Sequence, residues 1–401
     1  MTELPGLSRV HLSPLQRRVV ATLLKRGPMT RTDLSDLLDI SRSRLSPEVG
    51  QLLTKNIARE EPVPESTGGR RGMRVVLGDS SFGLVAGVDI DAGGVSLVLM
   101  QLDGHVVTRV DVDSDSPSDP KATLRGIDKA LKAEITRAGS ALRAVGVSIA
   151  ADIDRLGQVS EPPPTMPQWA GVSIGDYFAR RFGVPAFVEN DVNVLAIAEG
   201  ARGGPGSAHS TYAVVKVSSG VGCGLVVNGT LARGSDGYAG DIGHVCIDPS
   251  DQTLCACGNT GCLEALVSAP ALVRGAESLA RHGQSPMLAQ MLEEHQTLSL
   301  ELIGQAAQYE DPPTTAMLRV AGQQVGYAIA GLVTILNPAA VFISTGIRGA
   351  EDVVLSAIRQ RVYERARPAA TRELRIGTCQ LGRNDGAVGA AEFACHSLAA
   401  A

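Results

Sequence analysis

Four side chains that bind transition metals, His244, Cys255, Cys257 and Cys262, follow one another at the spacing H-x10-C-x-C-x4-C. Thiolate and imidazole are the ligands of a structural tetrahedral zinc, and four of them close the site to water. Gly258 and Gly261 lie between the last two cysteines, where the chain must turn tightly to aim both sulfurs at one point. A disulfide is one rival reading. Cysteines one residue apart do not easily bridge each other, and nothing indicates an oxidising compartment. Buried, inert cysteine is the other. The spacing favours zinc. Asp241, His244 and Glu264 are interleaved with the ligands. Held by a rigid metal loop, these carboxylate and imidazole groups could grip a polyhydroxylated molecule.

The elements that must carry this loop are those of an α/β protein. The chain has 401 residues, enough for two or three domains, with 44% hydrophobic and 3% aromatic content. No apolar run is long enough to span a bilayer, and no signal-peptide core is present, so a cytoplasmic protein without membrane contact is expected. Seven cysteines, an odd count, together with a zinc motif also indicate a reducing compartment.

The net charge of −5 hides an asymmetry. Residues 1–78 hold 13 Lys and Arg against 8 Asp and Glu, leaving 24 basic against 34 acidic residues elsewhere. A basic head on an acidic body fits a nucleic-acid reader attached to a sensor. Residues 14–26 place Leu15, Val19, Val20, Leu23 and Leu24 on one helical face, ended by Gly27 and Pro28. Thr30 caps a second helix with Leu34, Leu37 and Leu38, and Ser41 a third with Leu45, Val49, Leu52 and Leu53. This is the helix-turn-helix pattern. Ser41, Arg42, Ser43, Arg44 and Ser46 lie where a recognition helix meets bases and phosphates. Pro47 fits only near the first turn and otherwise kinks the helix. Ile57 to Leu77 reads as a β-hairpin wing. A three-helix bundle for protein contact is the plainer alternative. Arg70 and Arg71, between paired glycines, suit a minor groove or a simple flexible linker.

From Phe82 onward strands alternate with helices. Leu84–Ile90 and Val95–Leu102 form a hairpin, residues 120–138 a helix, and Val145–Ala150 and Pro185–Val188 further strands. Glu189-Asn190-Asp191 lies at a strand end, where α/β folds place ligands, although an aspartate there is more often a helix cap.

AGDIGH followed by CACGNTGCLE resembles the zinc motif of the ROK family of repressors and sugar kinases, and the resemblance covers nearly the whole chain. It implies an N-terminal winged helix-turn-helix joined to a two-lobed, actin-like ATPase (ribonuclease H-like) sugar-binding domain. The expected parts are residues 1–66 for the DNA-binding domain and 67–80 for a basic linker. Residues 81–190 with helix 384–401 form lobe 1, and 191–383 form lobe 2, with the sugar cleft between the lobes. In the family the histidine and three cysteines bind zinc. The acid before the GH pair, the histidine, and the glutamate after the last cysteine face the sugar, which here are Asp241, His244 and Glu264. The END triplet implies sugar contact by Asn190 and a general-base role for Asp191. Thr165 stands in the family's sugar loop, ending at Trp169, where asparagine is common. Asp241 replaces the usual glutamate.

The nucleotide motifs depart from the family. The first phosphate loop resembles D-x-G-G-T in the kinases, and here it reads Asp89-Ile90-Asp91-Ala92-Gly93. Ser218-Ser219-Gly220 replaces G-T-G, and Ser344-Thr345-Gly346 stands where paired glycines are usual. A carboxylate at Asp91 repels phosphate oxygens. The expectation is a sugar-responsive transcriptional regulator, a repressor, that has lost ATP and Mg2+. Asp191 then only binds sugar. An ATP-dependent sugar kinase, glucokinase-like or bifunctional, is the alternative. Double-stranded operator DNA, a sugar effector and a second copy of the chain, as a dimer or tetramer, are the expected partners.

Overall fold

The computed structural model describes residues 12–64, 72–91, 93–112, 118–154, 157–162, 165–201, 204–380 and 386–400. Arg70 and Arg71 lie outside the described residues. The chain divides into two units, Met1–Ala208 with Asn384–Ala401, and His209–Arg383.

The first unit opens with α1 (Pro14–Arg26), β1 (Met29–Thr30), α2 (Arg31–Leu38), α3 (Arg42–Thr54), β2 (Ala58–Pro62) and β3 (Met73–Leu77). Local capping fixes the helix starts. Ser13 with Gln16, and Thr30 with Asp33, form reciprocal capping boxes. Asp39 takes a left-handed conformation at φ 52° to end α2. α3 continues through Pro47, its sixth residue, and buries Leu45, Val49 and Leu52. The three strands pair in the order β1-β3-β2, so a wing is built from both sides of the Arg70–Arg71 segment. β3 falls within residues 67–80, the span read from sequence as a linker.

The unit continues with β4 (Leu84–Asp91), β5 (Gly94–Gln101), β6 (Val106–Val112), α4 (Pro120–Ala138), β7 (Leu142–Ile149), β8 (Asp152–Ile153) and β9 (Val159–Glu161). A 3-10 turn (Pro167–Trp169), α5 (Ile174–Phe182), β10 (Ala186–Asn190) and α6 (Asp191–Glu199) follow. The five-stranded sheet runs β10-β7-β4-β5-β6. One face packs Leu124, Ile127 and Leu131 of α4 with Ile174 and Phe178 of α5.

The second unit contains a sheet in the order β13-β12-β11-β14-β15. Its strands are β11 (Tyr212–Val217), β12 (Val221–Val227), β13 (Thr230–Leu231), β14 (Ala340–Thr345) and β15 (Arg375–Thr378). Between β13 and β14 lie α7 (Leu263–Val267), α8 (Ala269–Arg281), α9 (Pro286–His295), α10 (Leu300–Gln308) and α11 (Pro312–Leu336). α12 (Glu351–Arg365) and α13 (Pro368–Thr371) precede β15.

The chain then returns to the first unit as α14 (Gly386–Ala400). α14 covers the second face of the first sheet at very short range. A Cβ on Gly87 would lie 1.8 Å from the Ala387 carbonyl oxygen, and one on Gly146 1.9 Å from that of Ala390. Only glycine lets the helix backbone approach this closely. Gly146→Ala should therefore lower unfolding stability by about 3 kcal/mol, read from denaturant midpoints. Gly331→Ala on α11, where a Cβ meets nothing within 4 Å, is the control.

The DNA-binding-type module is not a separate bead. Leu15, Val19, Leu23 and Leu34 share one core with Val85, Met100, Ala391, Ala394 and Ala399. The wing is tied in as well, since Arg59 on β2 pairs with Asp103 in the β5–β6 turn at 3.1 Å. α6, which follows Asn190 and the sequence-based end of lobe 1, belongs to the first unit.

Candidate metal centre and ligand-binding residues

The metal-ligand loop is pinned to the second unit's sheet at its start. Gly240 has φ 98°, and its carbonyl accepts the Cys223 N–H at 2.9 Å. A Cβ on Gly240 would sit 1.8 Å from the Cys223 oxygen, so a glycine is required. The 3-10 turn Ile242–His244 follows. At its far end the loop closes on itself. Ile247 donates to the Gly261 carbonyl at 2.8 Å and Cys255 to that of Asn259 at 2.8 Å. Gly258 and Gly261, at φ 88° and 70°, make the tight turns expected between the cysteines.

These constraints bring the four ligand atoms of His244, Cys255, Cys257 and Cys262 within 4.8 Å of one another. Cys257 Sγ lies 3.7 Å from Cys262 Sγ, and Cys255 Sγ 3.4 Å from His244 Nδ1. A tetrahedron with Zn–S of about 2.3 Å and Zn–N of about 2.0 Å has edges of roughly 3.8 and 3.5 Å. The donor set therefore fits zinc in chemistry, and these two separations match tetrahedral edges. Burial, aided by the neighbouring thiols, pushes the metal-free Cys262 thiol up to about 12. Cys257 is held below the usual thiol value, first by the Asn259 backbone N–H. Cation binding must displace these protons, so affinity rises with pH.

His244 turns Nδ1 to the sulfurs and Nε2 towards Asp241, whose Oδ1 is 3.8 Å away. A metal on Nδ1 makes Nε2 the protonated nitrogen, a donor to a carboxylate or a hydroxyl. Asp241 is exposed. Glu264, on the first turn of α7, accepts the Val221 N–H at 3.0 Å through Oε2. That oxygen is also 2.9 Å from where a Gly220 Cβ would be, so the glutamate lies against the Ser218–Gly220 turn.

Asn190 and Asp191 lie in the first unit, at the β10–α6 junction. Asn190 caps α6 by accepting from Val192 N–H at 3.0 Å, and donates Nδ2–H to the Ala151 carbonyl at 3.0 Å. Asp191 Oδ1 also accepts from Val192 N–H, at 2.7 Å. Glu189 is buried and holds both Asn190 N–H and Asn193 Nδ2 through Oε1, each at 3.0 Å. Thr165 is exposed, just before the buried Met166 and the fully buried Trp169.

In the β4–β5 turn, Asp91 Oδ1 accepts the Gly93 N–H at 2.7 Å. The turn thus supplies its own anion to a backbone N–H. In the recognition-type helix, Ser41 to Arg44 and Ser46 are all exposed. Ser41 occupies the N-cap without making the side-chain cap expected from sequence, because its Oγ pairs with Ser43 Oγ at 3.1 Å. The guanidinium groups of Arg42 and Arg44 make no hydrogen bond or ion pair to the described residues. Arg18 and Arg31, in contrast, are bound to the Leu38 carbonyl at 2.8 Å and to Glu60 at 2.7 Å.

Sequence reasoning did not find Gly240, Glu189, Asn259 or the Ala151 carbonyl as supports of these residues. Gly240 and Asn259 stand beside the metal motif and carried a signal. The carbonyl of Ala151 carried none, because any residue supplies one.

A mixed α/β protein with a Cys3His cluster and an N-terminal winged-helix module is the class defined by these features. The chain belongs to the ROK family, whose model matches residues 85–396. It is 26% identical over 376 residues to the xylose repressor of Bacillus spizizenii strain W23, covering 93% of each chain. A ROK family transcriptional regulator, a homologue of the E. coli MLC protein, superposes with a TM-score of 0.76 at 22% identity, over 96% of each chain. A ROK family glucokinase from Streptomyces griseus, solved with glucose and AMPPNP, gives 0.64 at 28% identity over 78% of this chain and 99% of its own.

Proposed function

We propose that this protein is a sugar-responsive transcriptional repressor that binds operator DNA through α3 and its wing. The single observation that carries this is the exposed start of α3, where the Arg42 and Arg44 guanidinium groups have no partner among the described residues, on a chain that matches a xylose repressor over 93% of its length. Ser41, Ser43 and Ser46 add hydroxyl donors, and Arg70 and Arg71 would add flanking minor-groove contacts. Residues 1–66 together with β3 (Met73–Leu77), which completes the wing, form the DNA-binding domain, followed by a sensor formed by 81–190, 191–383 and the final helix. One short helix reads only a few base pairs, so the active species is a dimer or higher even oligomer on a near-palindromic site. The compartment is the cytoplasm. Among the described residues no helix is long and apolar enough to cross a membrane.

The effector is an aldose or a close derivative, with D-xylose the first to test. Its hydroxyls are bound by Thr165, Asn190, Asp191, Asp241, His244 and Glu264. Zinc on His244, Cys255, Cys257 and Cys262 is structural: it holds His244, Asp241 and Glu264 in place and reacts with nothing. Calorimetric titration with D-xylose, D-glucose and their relatives, with and without selected operator duplex, tests the reading. A chain that binds no duplex above its non-specific affinity refutes the repressor.

The glucokinase relative favours a second reading, sugar phosphorylation with Asp191 as general base. Asp91 argues against it. Its carboxylate already takes the Gly93 N–H that an incoming phosphate oxygen would need. The purified protein should therefore transfer no phosphate from ATP to a panel of aldoses in a coupled assay. Turnover abolished by Asp191→Asn would overturn this and establish the kinase.

A further inference from the structure

α6 begins at Asp191, the proposed sugar contact, and Val194 lies one turn further on. A Cβ on Gly389 of α14 would fall 2.9 Å from Val194 Cγ1 and 3.5 Å from Ala198 Cβ. α6 and α14 therefore meet with no side chain at 389 between them. The Phe187 ring of β10 packs edge-on against Phe393 of α14, with centroids 6.2 Å apart. On the sheet side, Gly87 and Gly146 bring β4 and β7 directly against the carbonyls of Ala387 and Ala390. Helix α14 is gripped from both sides at its first turns and spans roughly 22 Å at 1.5 Å per residue.

Its other end reaches the DNA-binding module. Ala394, Cys395 and Ala399 share a core with Leu15, Val19 and Leu23 of α1, and Arg17 Nη1 donates to the Ala400 carbonyl at 3.5 Å. The module also meets the sheet directly through Val85 and Met100 in the same core, and Arg59 pairs with Asp103 and Asp79 at the wing and the strand ends remote from α6. Close-packed interiors shift as rigid pieces and do not absorb displacement locally.

We propose that α14 is a coupling rod that carries displacement of the Asp191 end of α6 to α1, and so to the recognition helix. This rests on the sugar-sensing reading for its biological meaning, but its mechanics can be tested without sugar. Movement of α6 on ligand binding pushes on Gly389 through Val194, and α14 passes the shift to α1. By reciprocity, operator on α3 must change sugar affinity by the same factor as sugar changes operator affinity.

The experiment is hydrogen–deuterium exchange on the full chain, with and without saturating D-xylose. Gly389→Ala places a methyl against Val194. Without sugar it should change exchange across α1 by about threefold or more, while α4, on the opposite face of the same sheet, stays as in the wild type. Val194→Ala together with Gly389→Ala removes the clash and should restore α1. Unchanged α1 exchange in Gly389→Ala overturns the proposal. So does equal loosening of α4, or failure of the double variant to restore α1. With D-xylose, the wild type should change at α6, α14 and α1, and Gly389→Ala at α6 alone. A response of α1 that survives Gly389→Ala undiminished also overturns the rod. If D-xylose leaves α6 untouched while the sugar-free arm behaves as stated, the coupling stands and the choice of sugar fails.

Discussion

Cys262→Ser should abolish stoichiometric zinc and lower the melting temperature of the second unit by roughly 8–16 °C. The magnitude follows from what the metal closes. Structural zinc contributes about 10–16 kcal/mol in small peptides whose fold depends on it. Here the sheet and its helices fold around their own apolar core, so the metal orders mainly the 241–264 loop. A loss of about 4 kcal/mol, at 2–4 °C per kcal/mol for a unit of this size, gives the stated fall. Cys262 is the most informative ligand to remove, since it is fully buried and also starts α7, which carries Glu264. Cys246 supplies the control. It is exposed, bridges Cys262 through the backbone, and is outside the four-ligand cluster, so Cys246→Ser should keep its zinc. Elemental analysis by mass spectrometry should give one zinc per chain in the wild type. A folded, chelator-washed protein holding none would sink the metal assignment. Retention should weaken as pH falls, because each released thiol proton then competes with the cation, and Cys262 sits highest of the three.

Replacing Arg42 and Arg44 together by alanine should cost the protein about thirtyfold to ten-thousandfold in operator affinity, about 1–3 kcal/mol for each arginine. The two side chains are exposed, and among the described residues no acceptor spends their charge. Single variants separate their roles. Loss of a base contact relaxes preference at one position of the site. Loss of a phosphate contact weakens all sequences alike and lowers the salt slope by about one. Arg18→Ala is the comparison, because its guanidinium is already bound to the Leu38 carbonyl and its loss should act on folding alone. Binding to a duplex selected from random sequence, measured from 50 to 200 mM salt, makes the distinction. If the double variant bound that duplex as tightly as the wild type, α3 would not be the recognition helix.

Much of this protein follows from rules that act over a few residues. The starts of α1 and α2 were legible from the helical spacing of residues 14–26 and from Thr30 as a cap, and the structure adds the reciprocal boxes of Ser13 with Gln16 and Thr30 with Asp33 that hold them within one turn. The Cys3His cluster was legible because its spacing and the turns at Gly258 and Gly261 are local. The β4–β5 hairpin and the strand before Asn190 announced themselves by apolar runs ended by turn or helix signals. Even Ser41 was correctly placed as the N-cap of α3. What its hydroxyl does was decided by its neighbour Ser43, a choice among rotamers on which spacing is silent.

The tertiary structure alone decided that the N-terminal module and the body share a core. Charge and composition set residues 1–78 apart as a basic head, which suggested a tethered reader. Yet Arg17 meets Ala400, and Leu15 and Val19 pack with Ala394 and Ala399, nearly the whole chain length away. No local preference encodes such a pairing. It arises because α14 is mostly alanine, glycine and other apolar residues, buries even Glu392, and must be covered on most sides. The sheet of the first unit takes one side through Gly87 and Gly146, α6 takes another, and α1 closes the third. The sequence by itself determined which residues make the Cys3His cluster and cap helices, and it marked the residues proposed to meet DNA. Only the packing of distant, side-chain-poor surfaces determined what those residues are attached to, because burial of apolar area is non-directional and is settled by the whole chain at once.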